Sequence, residues 1–247
     1  LNFRTLCAAF WDAGLATTEL VLIVAAAGLV IGILNISGGG FALTLFLVDL
    51  GGGNLFVLLA IAAVVCIVLG MGMPTSGVYV LLAALVAPSL VEVGVHKIAA
   101  HMFILYFGMM SMITPPIALA AFAAASLSRA DPMATGFAAM KMGWVAYVIP
   151  FLFVLSPTLL GLGGTLHVVQ DMATAAIGVY FVSAAMVGYF ARTMTTVTRV
   201  LLTVAGIAAF VPDSGIGVNG VLDIAGVVIG FALIAREHFG AKLVAIS

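Results

Sequence analysis

An all-α protein that crosses a membrane several times is the fold class that this sequence predicts. Hydrophobic residues make up 65% of the chain and charged residues only 7%, whereas a soluble domain carries about 25% charge. Several apolar runs approach the ~20 residues that a helix needs to cross about 30 Å of hydrocarbon. The polar–apolar alternation that is typical of half-buried strands is absent. The chain is therefore expected to be a polytopic, helical integral membrane protein.

Composition and motifs also exclude several function classes. The formal net charge is −1, which gives no electrostatic reason to bind nucleic acid. The sequence has no phosphate-binding Gly-Lys-Ser/Thr loop and no HExxH or Ser–His–Asp pattern, so we predict neither an ATPase nor another enzyme, and no cofactor. His96 and His101 are spaced too far apart to share a helical face well, so no transition-metal site is predicted.

The first elements follow from helix-breaking residues. Residues 19–37 form a run long enough to span a membrane, and the glycine-rich residues 35–40 end it. Residues 41–50 are too few to span and are expected to lie at the interface or to re-enter. Asn54 is the predicted N-cap of a helix over residues 55–69. The opening residues 1–5 are expected to form a loop that leads into the first helix.

The first break in an apolar run is GMGMPTSG, residues 70–77. The apolar stretch around it, residues 55–93, would be roughly 58 Å long as one helix at 1.5 Å per residue, which is far more than a bilayer. The break must therefore split a crossing or form a turn. Pro74 frees a carbonyl one turn earlier, and Thr75 and Ser76 add hydroxyl oxygens.

The second break is MITPP, residues 112–116. It lies between apolar arms of residues 102–113 and 117–127, which are too short to be two full spans. The paired prolines exclude regular helix, and Thr114 supplies another hydroxyl. These features predict a re-entrant hairpin whose tip is buried.

Broken helices at membrane depth present free carbonyls and hydroxyls, which in transporters coordinate ions or substrate. For each break alone, a simple kink or a rigid turn is the competing interpretation. Two breaks of similar chemistry favour a site for an ion or a substrate, and their carbonyl and hydroxyl oxygens suit a hard cation such as Na⁺. The substrate-binding residues are left unassigned. The predicted ion-binding residues are Gly70, Gly72, Met73, Thr75, Ser76, Thr114 and Pro115.

The remainder of the chain reads as simpler helices. Residues 128–132 form a polar turn, and residues 145–162 form a span that Pro150 and Pro157 are expected to kink. Three uninterrupted apolar runs follow at residues 174–190, 197–211 and 218–235. They predict a three-helix C-terminal module.

Specific stretches resemble the large membrane subunit of tripartite ATP-independent periplasmic (TRAP) transporters, with the fused permeases of the TAXI subgroup as the nearest match. The resemblance lies in LGMGMPTSGVY (69–79), AP (87–88), AHMFILY (100–106), ITPPIA (113–118), ADP (130–132), PFLF (150–153) and SP (156–157). Its order and spacing cover about residues 1–165. The three-helix tail also resembles the C-terminal extension of those fused permeases.

The resemblance implies a secondary transporter built as an inverted repeat, with a hairpin and a discontinuous helix in each half. It assigns residues 1–165 to the second repeat of the transport region and residues 166–247 to a C-terminal transmembrane extension. Because only the second repeat is matched and the chain begins at Leu1 rather than Met, we expect a fragment whose N-terminal repeat is missing. Dicarboxylate-type relatives carry an acidic residue where this chain has Pro74, so its ion site would depend on carbonyls and hydroxyls.

The implied function is that of a permease component of a cation-coupled importer of small organic acids in the bacterial inner membrane. A periplasmic solute-binding protein would deliver the organic anion. Na⁺ is the expected coupling ion, with H⁺ as the alternative for the TAXI subgroup. An unrelated secondary transporter or channel, and a structural membrane assembly subunit, are the alternatives. A neighbouring gene for a solute-binding protein would favour the importer.

Overall fold

The computed structural model describes residues 3–190, 193–210 and 221–244, and no β-strand lies within them. This agrees with the predicted all-α membrane protein. The chain divides into two compact units, Leu1–Phe151 and Leu152–Ser247. The predicted boundary after residue 165 is a statement about repeats in the sequence and stays a prediction.

The first unit is a succession of long and short helices. They are α1 (Phe3–Ser37), α2 (Gly39–Gly51), α3 (Leu55–Gly70), α4 (Thr75–Leu85), α5 (Ala87–Glu92), α6 (Lys97–Met110), α7 (Leu119–Ser128), α8 (Pro132–Met142) and α9 (Trp144–Leu155), whose last four residues belong to the second unit. The expectation of a loop over residues 1–5 is wrong for residues 3–5, which are helical; residues 1 and 2 lie outside the described residues. Residues 3–13 contain neither glycine nor proline, so nothing interrupts the helical hydrogen bonds there.

Local chemistry sets the helix ends that the sequence predicted. Gly38, at φ 71°, separates α1 from α2, and the axis of Val24–Leu34 makes an angle of 78° with that of α2. The carboxamide oxygen of Asn54 accepts hydrogen bonds from the N–H groups of Phe56 and Val57, at 2.9 and 3.3 Å. The predicted cap of α3 is thereby confirmed.

The two arms beside the second break do not pack along each other. Helix α6 packs on α3 and α4, whereas the main partner of α7 is α8. The predicted re-entrant hairpin is therefore not formed by α6 and α7 as adjacent arms. The polar turn after Ser128 reverses the chain, because Arg129 adopts a left-handed conformation at φ 54° and Asp131 caps α8 by accepting from Ala134 N–H at 2.7 Å.

Helix α8 itself was not predicted, although its start is visible in the sequence. Asp131 followed by Pro132 is a favourable N-cap with proline at the first helical position. Pro150 lies within α9 as expected, and α9 ends at Leu155. The predicted span over residues 145–162 therefore ends early, and a short 3₁₀ helix, Pro157–Leu160, follows it.

The core of the first unit is formed by α3, α4 and α6. Leu59, Leu82 and Phe103 are fully buried there. The ring of Phe103 lies 4.8 Å from that of Phe107 and 5.4 Å from that of Phe151, the latter in an edge-on arrangement that favours aromatic attraction. These contacts hold α6 in place, and α6 leads directly into the second break.

The second unit contains three mutually packed helices after the 3₁₀ helix: α10 (Thr165–Val187), α11 (Thr196–Phe210) and α12 (Val221–Val244). Three helices lie where three apolar runs predicted them, although α10 begins nine residues before the predicted run 174–190 and ends three residues before its end. Residues 211 and 218–220 of the predicted runs lie outside the described residues. Phe181, Ala185 and Leu202 form its buried centre.

Length and composition identify membrane-crossing candidates among the described residues. One helix, Thr165–Val187, is long and apolar enough to cross a membrane by itself. Two bent helix pairs would raise the number of candidate spans to three if each pair forms one span: Val24–Leu34 with Gly39–Gly51, and Pro132–Met142 with Trp144–Leu155. The latter pair bends by 43°. Shorter apolar helices, including α3, α4 and α6, surround the two breaks.

Candidate ion and substrate site

The first break separates α3 from α4 by four residues. Helix α3 ends at Gly70, and Pro74 precedes the first turn of α4. Gly72 has φ 82°, a conformation that suits glycine. The carbonyl of Gly70 accepts only a long bond, 3.5 Å, from Met73 N–H. The end of α3 therefore offers a carbonyl oxygen that is bonded only weakly, by a turn residue beyond the helix.

The remaining predicted residues of this break lie on its outer side. Thr75 and Ser76 occupy the first turn of α4 and are exposed, and Met73 is half-buried. Val78 N–H donates to Pro74 O at 3.0 Å, which starts the helical ladder of α4. The hydroxyls of Thr75 and Ser76 are thus accessible from outside the unit, while the Gly70 end faces its core.

The second break is organised by hydroxyl groups. Ser111 donates to Gly108 O at 2.7 Å, and Thr114 donates to Met110 O at 2.5 Å. Within the turn, Ala120 N–H donates to Met112 O at 3.0 Å. Most polar groups of this turn are consequently bonded inside the protein, as a site in lipid requires.

Thr114 also contacts Tyr147 on α9, with 2.7 Å between the two hydroxyl oxygens. A threonine hydroxyl has one hydrogen and two lone pairs. Because that hydrogen is used by Met110 O, Tyr147 is the donor in the second bond. One lone pair of Thr114 remains for a further donor or for a cation.

The ends of α3 and α6 meet at Gly70. A Cβ atom placed on Gly70 would lie 2.9 Å from Gly108 O and 2.9 Å from Ser111 Oγ. Gly108 in turn faces Val78 of α4, where an added Cβ would lie 2.6 Å from the Val78 side chain. The structure therefore brings the first break against the start of the second, with both flanking helices in contact.

The seven predicted ion-binding residues are not all gathered at one point. Gly70 contacts the α6 end through Ser111, whereas Pro115 packs on Gly136 of α8, where an added Cβ would lie 2.8 Å from the proline ring. Thr114 is buried against Tyr147, and Thr75 and Ser76 are exposed. Their assignment as an ion site stays a prediction.

Three residues of this region were not predicted from the sequence. Tyr147, Gly108 and Gly136 each contact a break from another helix. Nothing in the local pattern distinguishes Tyr147 from other interfacial aromatics, since it sits in an apolar run. The Asp131–Pro132 start signal would have revealed α8, and with it the helix that carries Gly136.

A polar link also joins α4 to α6 near the first break. The Tyr79 hydroxyl lies 3.1 Å from Nδ1 of His101, and both side chains are half-buried. Because a phenol and an imidazole can each donate or accept, the bond exists with either tautomer of His101. No group of three or more His, Cys, Asp or Glu side chains with metal-binding geometry occurs among the described residues.

The second unit has a separate buried polar cluster. Asp171 on α10 is 7% exposed and accepts a hydrogen bond from the Thr158 hydroxyl. Ser156 Oγ lies 2.5 Å from Thr158 Oγ1 and 3.5 Å from an Asp171 carboxylate oxygen. The cluster ties the 3₁₀ helix to α10 and satisfies a carboxylate in a membrane-length helix.

Comparison with known proteins gives one family. The family model described as "Tripartite ATP-independent periplasmic transporter, DctM component" matches residues 1–168. No curated protein and no solved structure matches the chain. The family match includes both breaks and ends near the start of α10, so α11 and α12 lie outside it.

Proposed function

The chain belongs to the DctM family of tripartite ATP-independent periplasmic transporters, and we propose that it is the permease part of a cation-coupled importer of small organic acids. Family membership implies a multi-pass transporter component of the inner membrane, not an enzyme. It also implies assembly with a periplasmic binding protein and a small membrane component.

The contact of Gly70 with Gly108 and Ser111 is the observation that supports the proposal. It places a helix end with a weakly bonded carbonyl beside a second broken segment. Lipid cannot satisfy such groups, so broken helices in membranes persist where they line a protein site or a water-filled cavity. Paired helix ends of this kind coordinate ions and substrates in secondary transporters.

The proposed ion ligands are carbonyl and hydroxyl oxygens from both breaks. Gly70, Gly72 and Met73 would supply carbonyls, and Thr114 its remaining lone pair. Thr75, Ser76 and Pro115 complete the set as outer ligands that approach when the two segments close on the ion. A hard cation such as Na⁺ prefers oxygen donors of this type, and the C-terminal end of α3 presents the negative end of its helix dipole.

The finer assignment follows the sequence resemblance. We propose a member of the TAXI subgroup in which residues 1–165 form the second half of an inverted repeat. The three-helix module α10–α12 would be the C-terminal extension of a fused permease. The substrate would be a small carboxylate delivered by the binding protein.

Reconstitution tests the proposal. The permease is placed in proteoliposomes with its binding protein, and uptake of a panel of radiolabelled carboxylates is measured under an imposed Na⁺ gradient or pH gradient. We expect concentrative uptake of at least one carboxylate that needs both the binding protein and one of the two gradients. Uptake that never exceeds equilibrium would favour a channel, and binding-protein-independent uptake would favour an unrelated secondary transporter.

A further inference from the structure

Arg199 is held at one end of the three-helix module by backbone carbonyls. It lies in the first turn of α11, and its guanidinium donates from Nε to Ala185 O at 2.8 Å and from Nη2 to Met186 O at 3.1 Å. Both carbonyls belong to the last turn of α10, where intrahelical donors run out. The positive charge also lies favourably at the C-terminal end of the α10 dipole.

These two bonds leave most of the guanidinium available. Of its five N–H donors, two are used, so three remain. Among the residues that the structure describes, no carboxylate forms an ion pair with Arg199. Glu237 on α12 is buried and accepts a hydrogen bond from Thr198 at 3.2 Å instead. Arg199 is therefore a cation held by two backbone carbonyls, and three of its N–H groups are not used by any hydrogen bond to the described residues.

A groove of about 350 Å³ opens beside this cation. One part of it is polar, with the hydroxyl-bearing Thr196 and Thr203 near Arg199, and the rest is apolar. Its apolar lining residues are Ala185, Met186, Val200 and Val204. A soluble anion would match only the polar end of this surface.

The apolar lining continues along the outside of α11. Val200, Val204 and Ile207 are 57%, 59% and 46% exposed. Their spacing puts them on one helical face that runs about 10 Å away from Arg199 at 1.5 Å per residue. The opposite face of α11, with Leu202 and Ala205, is buried in the module.

The position of Arg199 along the helices is the one expected for a residue that binds a lipid headgroup. Helix α10 is the single helix of the described residues that is long and apolar enough to span alone, and Arg199 binds its last turn. Tyr189, just beyond that end, is 59% exposed, as aromatic residues are at membrane interfaces. A guanidinium bound to the last turn of a membrane-length helix is expected at the level where the hydrocarbon meets the headgroups.

We infer that Arg199 and this groove bind one anionic phospholipid. The phosphodiester oxygens accept from the free N–H groups of Arg199, with Thr196 as a neighbouring donor, and an acyl chain lies along Val200 and Val204. A guanidinium binds a phosphate in a bidentate arrangement. The exposed apolar face of α11 favours a lipid over a free phosphate, because only a lipid has an acyl chain to cover it.

The test uses the intact permease, purified and delipidated in neutral detergent. Binding of phosphatidylglycerol, phosphatidylcholine and soluble glycerol phosphate is measured by native mass spectrometry and by the thermal stability of the protein. We expect one tightly retained phosphatidylglycerol. Arg199→Gln should weaken it about fivefold or more, since one interfacial basic residue contributes about that factor, and Arg199→Lys less.

Arg236→Gln is the matched control, because Arg236 is exposed on α12 of the same module and lies outside the groove; it should leave affinity unchanged. Val204→Phe fills the groove while Arg199 keeps its bonds, and it should weaken phosphatidylglycerol binding even if Arg199→Gln proves unstable. The inference would be overturned if Arg236→Gln weakened phosphatidylglycerol binding as much as Arg199→Gln does, or if phosphatidylcholine bound equally well. It would also be overturned if glycerol phosphate alone displaced the lipid, or if Val204→Phe kept full affinity for phosphatidylglycerol.

Discussion

Gly70, the first residue of the first break, and Ser111, the residue before the second break, are in direct contact although they are far apart in the chain. An added Cβ at Gly70 would lie 2.9 Å from the Ser111 hydroxyl oxygen and 3.1 Å from its Cβ. The Ser111 hydroxyl is itself held by Gly108 O at 2.7 Å. The contact therefore joins the C-terminal ends of α3 and α6, with no side chain contributed by Gly70 and only the short side chain of Ser111 between them.

Gly70→Ala should separate these helix ends. The new methyl group would meet a backbone oxygen, which cannot move aside as a flexible side chain can, so we expect a loss of about 1–3 kcal/mol in unfolding free energy. Denaturation in detergent measures this loss, and uptake should fall as the two breaks part. Gly28→Ala on α1, where an added Cβ meets nothing within 4 Å, is the control. Equal stability of the two variants would mean that the close approach carries no energetic weight.

Thr114→Val and Tyr147→Phe distinguish the structural role of the Thr114 hydroxyl from its proposed role as an ion ligand. Both remove the 2.7 Å contact, but only Thr114→Val removes the proposed ligand oxygen. We expect Thr114→Val to weaken the cation dependence of uptake by about 1–3 kcal/mol, the scale of a lost buried polar interaction. Tyr147→Phe should lower stability and leave that cation dependence near wild type. The same shift in both variants would move the ion site away from Thr114.

Thr75→Val tests the exposed part of the proposed ion site. Thr75 is in the first turn of α4 and is exposed, so its replacement should cost less than about 0.5 kcal/mol in stability. We expect the apparent affinity for the coupling ion in reconstituted uptake to fall nevertheless. Unchanged ion affinity in both Thr75→Val and Thr114→Val would place the ion elsewhere in the protein.

Asp171 and Thr158 should be energetically coupled. Asp171→Asn and Thr158→Val each break the buried cluster in the second unit, and each is expected to cost about 1–3 kcal/mol of stability. The double variant should cost clearly less than the sum, because both changes remove one shared bond. A thermal or chemical unfolding cycle measures this coupling, and additive losses would contradict it.

Gly230→Ala should disturb the packing of the three-helix module. An added Cβ would overlap the ring of Phe181, which is fully buried, so the ring or α12 must shift. Overpacking of this kind costs about 1–3 kcal/mol. Ile229→Ala, at a neighbouring position that is 52% exposed, should change unfolding of the purified protein in detergent much less. Equal effects would show that α12 tolerates displacement from α10.

Several features could be predicted from local sequence because their causes are local. Apolar runs with little charge identify a helical membrane protein, since the bilayer imposes both length and polarity. Asn54 was identified as a cap because its carboxamide reaches only the next few N–H groups. The three-helix tail was predictable for the same reason, as its runs are apolar and uninterrupted.

The missed elements depend on partners that are distant in sequence. The run through α6 and α7 reads as a hairpin, yet α7 packs on α8 because the turn at Arg129 and Asp131 reverses the chain. Tyr147 is an ordinary aromatic residue until α9 brings its hydroxyl to Thr114. Periodicity and spacing contain no information about which apolar faces pair.

The sequence by itself determined the fold class and the positions of the two breaks, because membrane solvation and backbone chemistry act on each segment separately. Its motifs also determined the membership of a transporter family. Only the tertiary structure decided that Gly70 contacts Ser111, that the Thr114 hydroxyl is hydrogen-bonded to Tyr147, and that Arg199 lies beside a groove. Those relationships follow from the close approach of helix surfaces, where glycines remove side chains and hydroxyls find partners. Packing of that kind depends on complementary shapes across the fold.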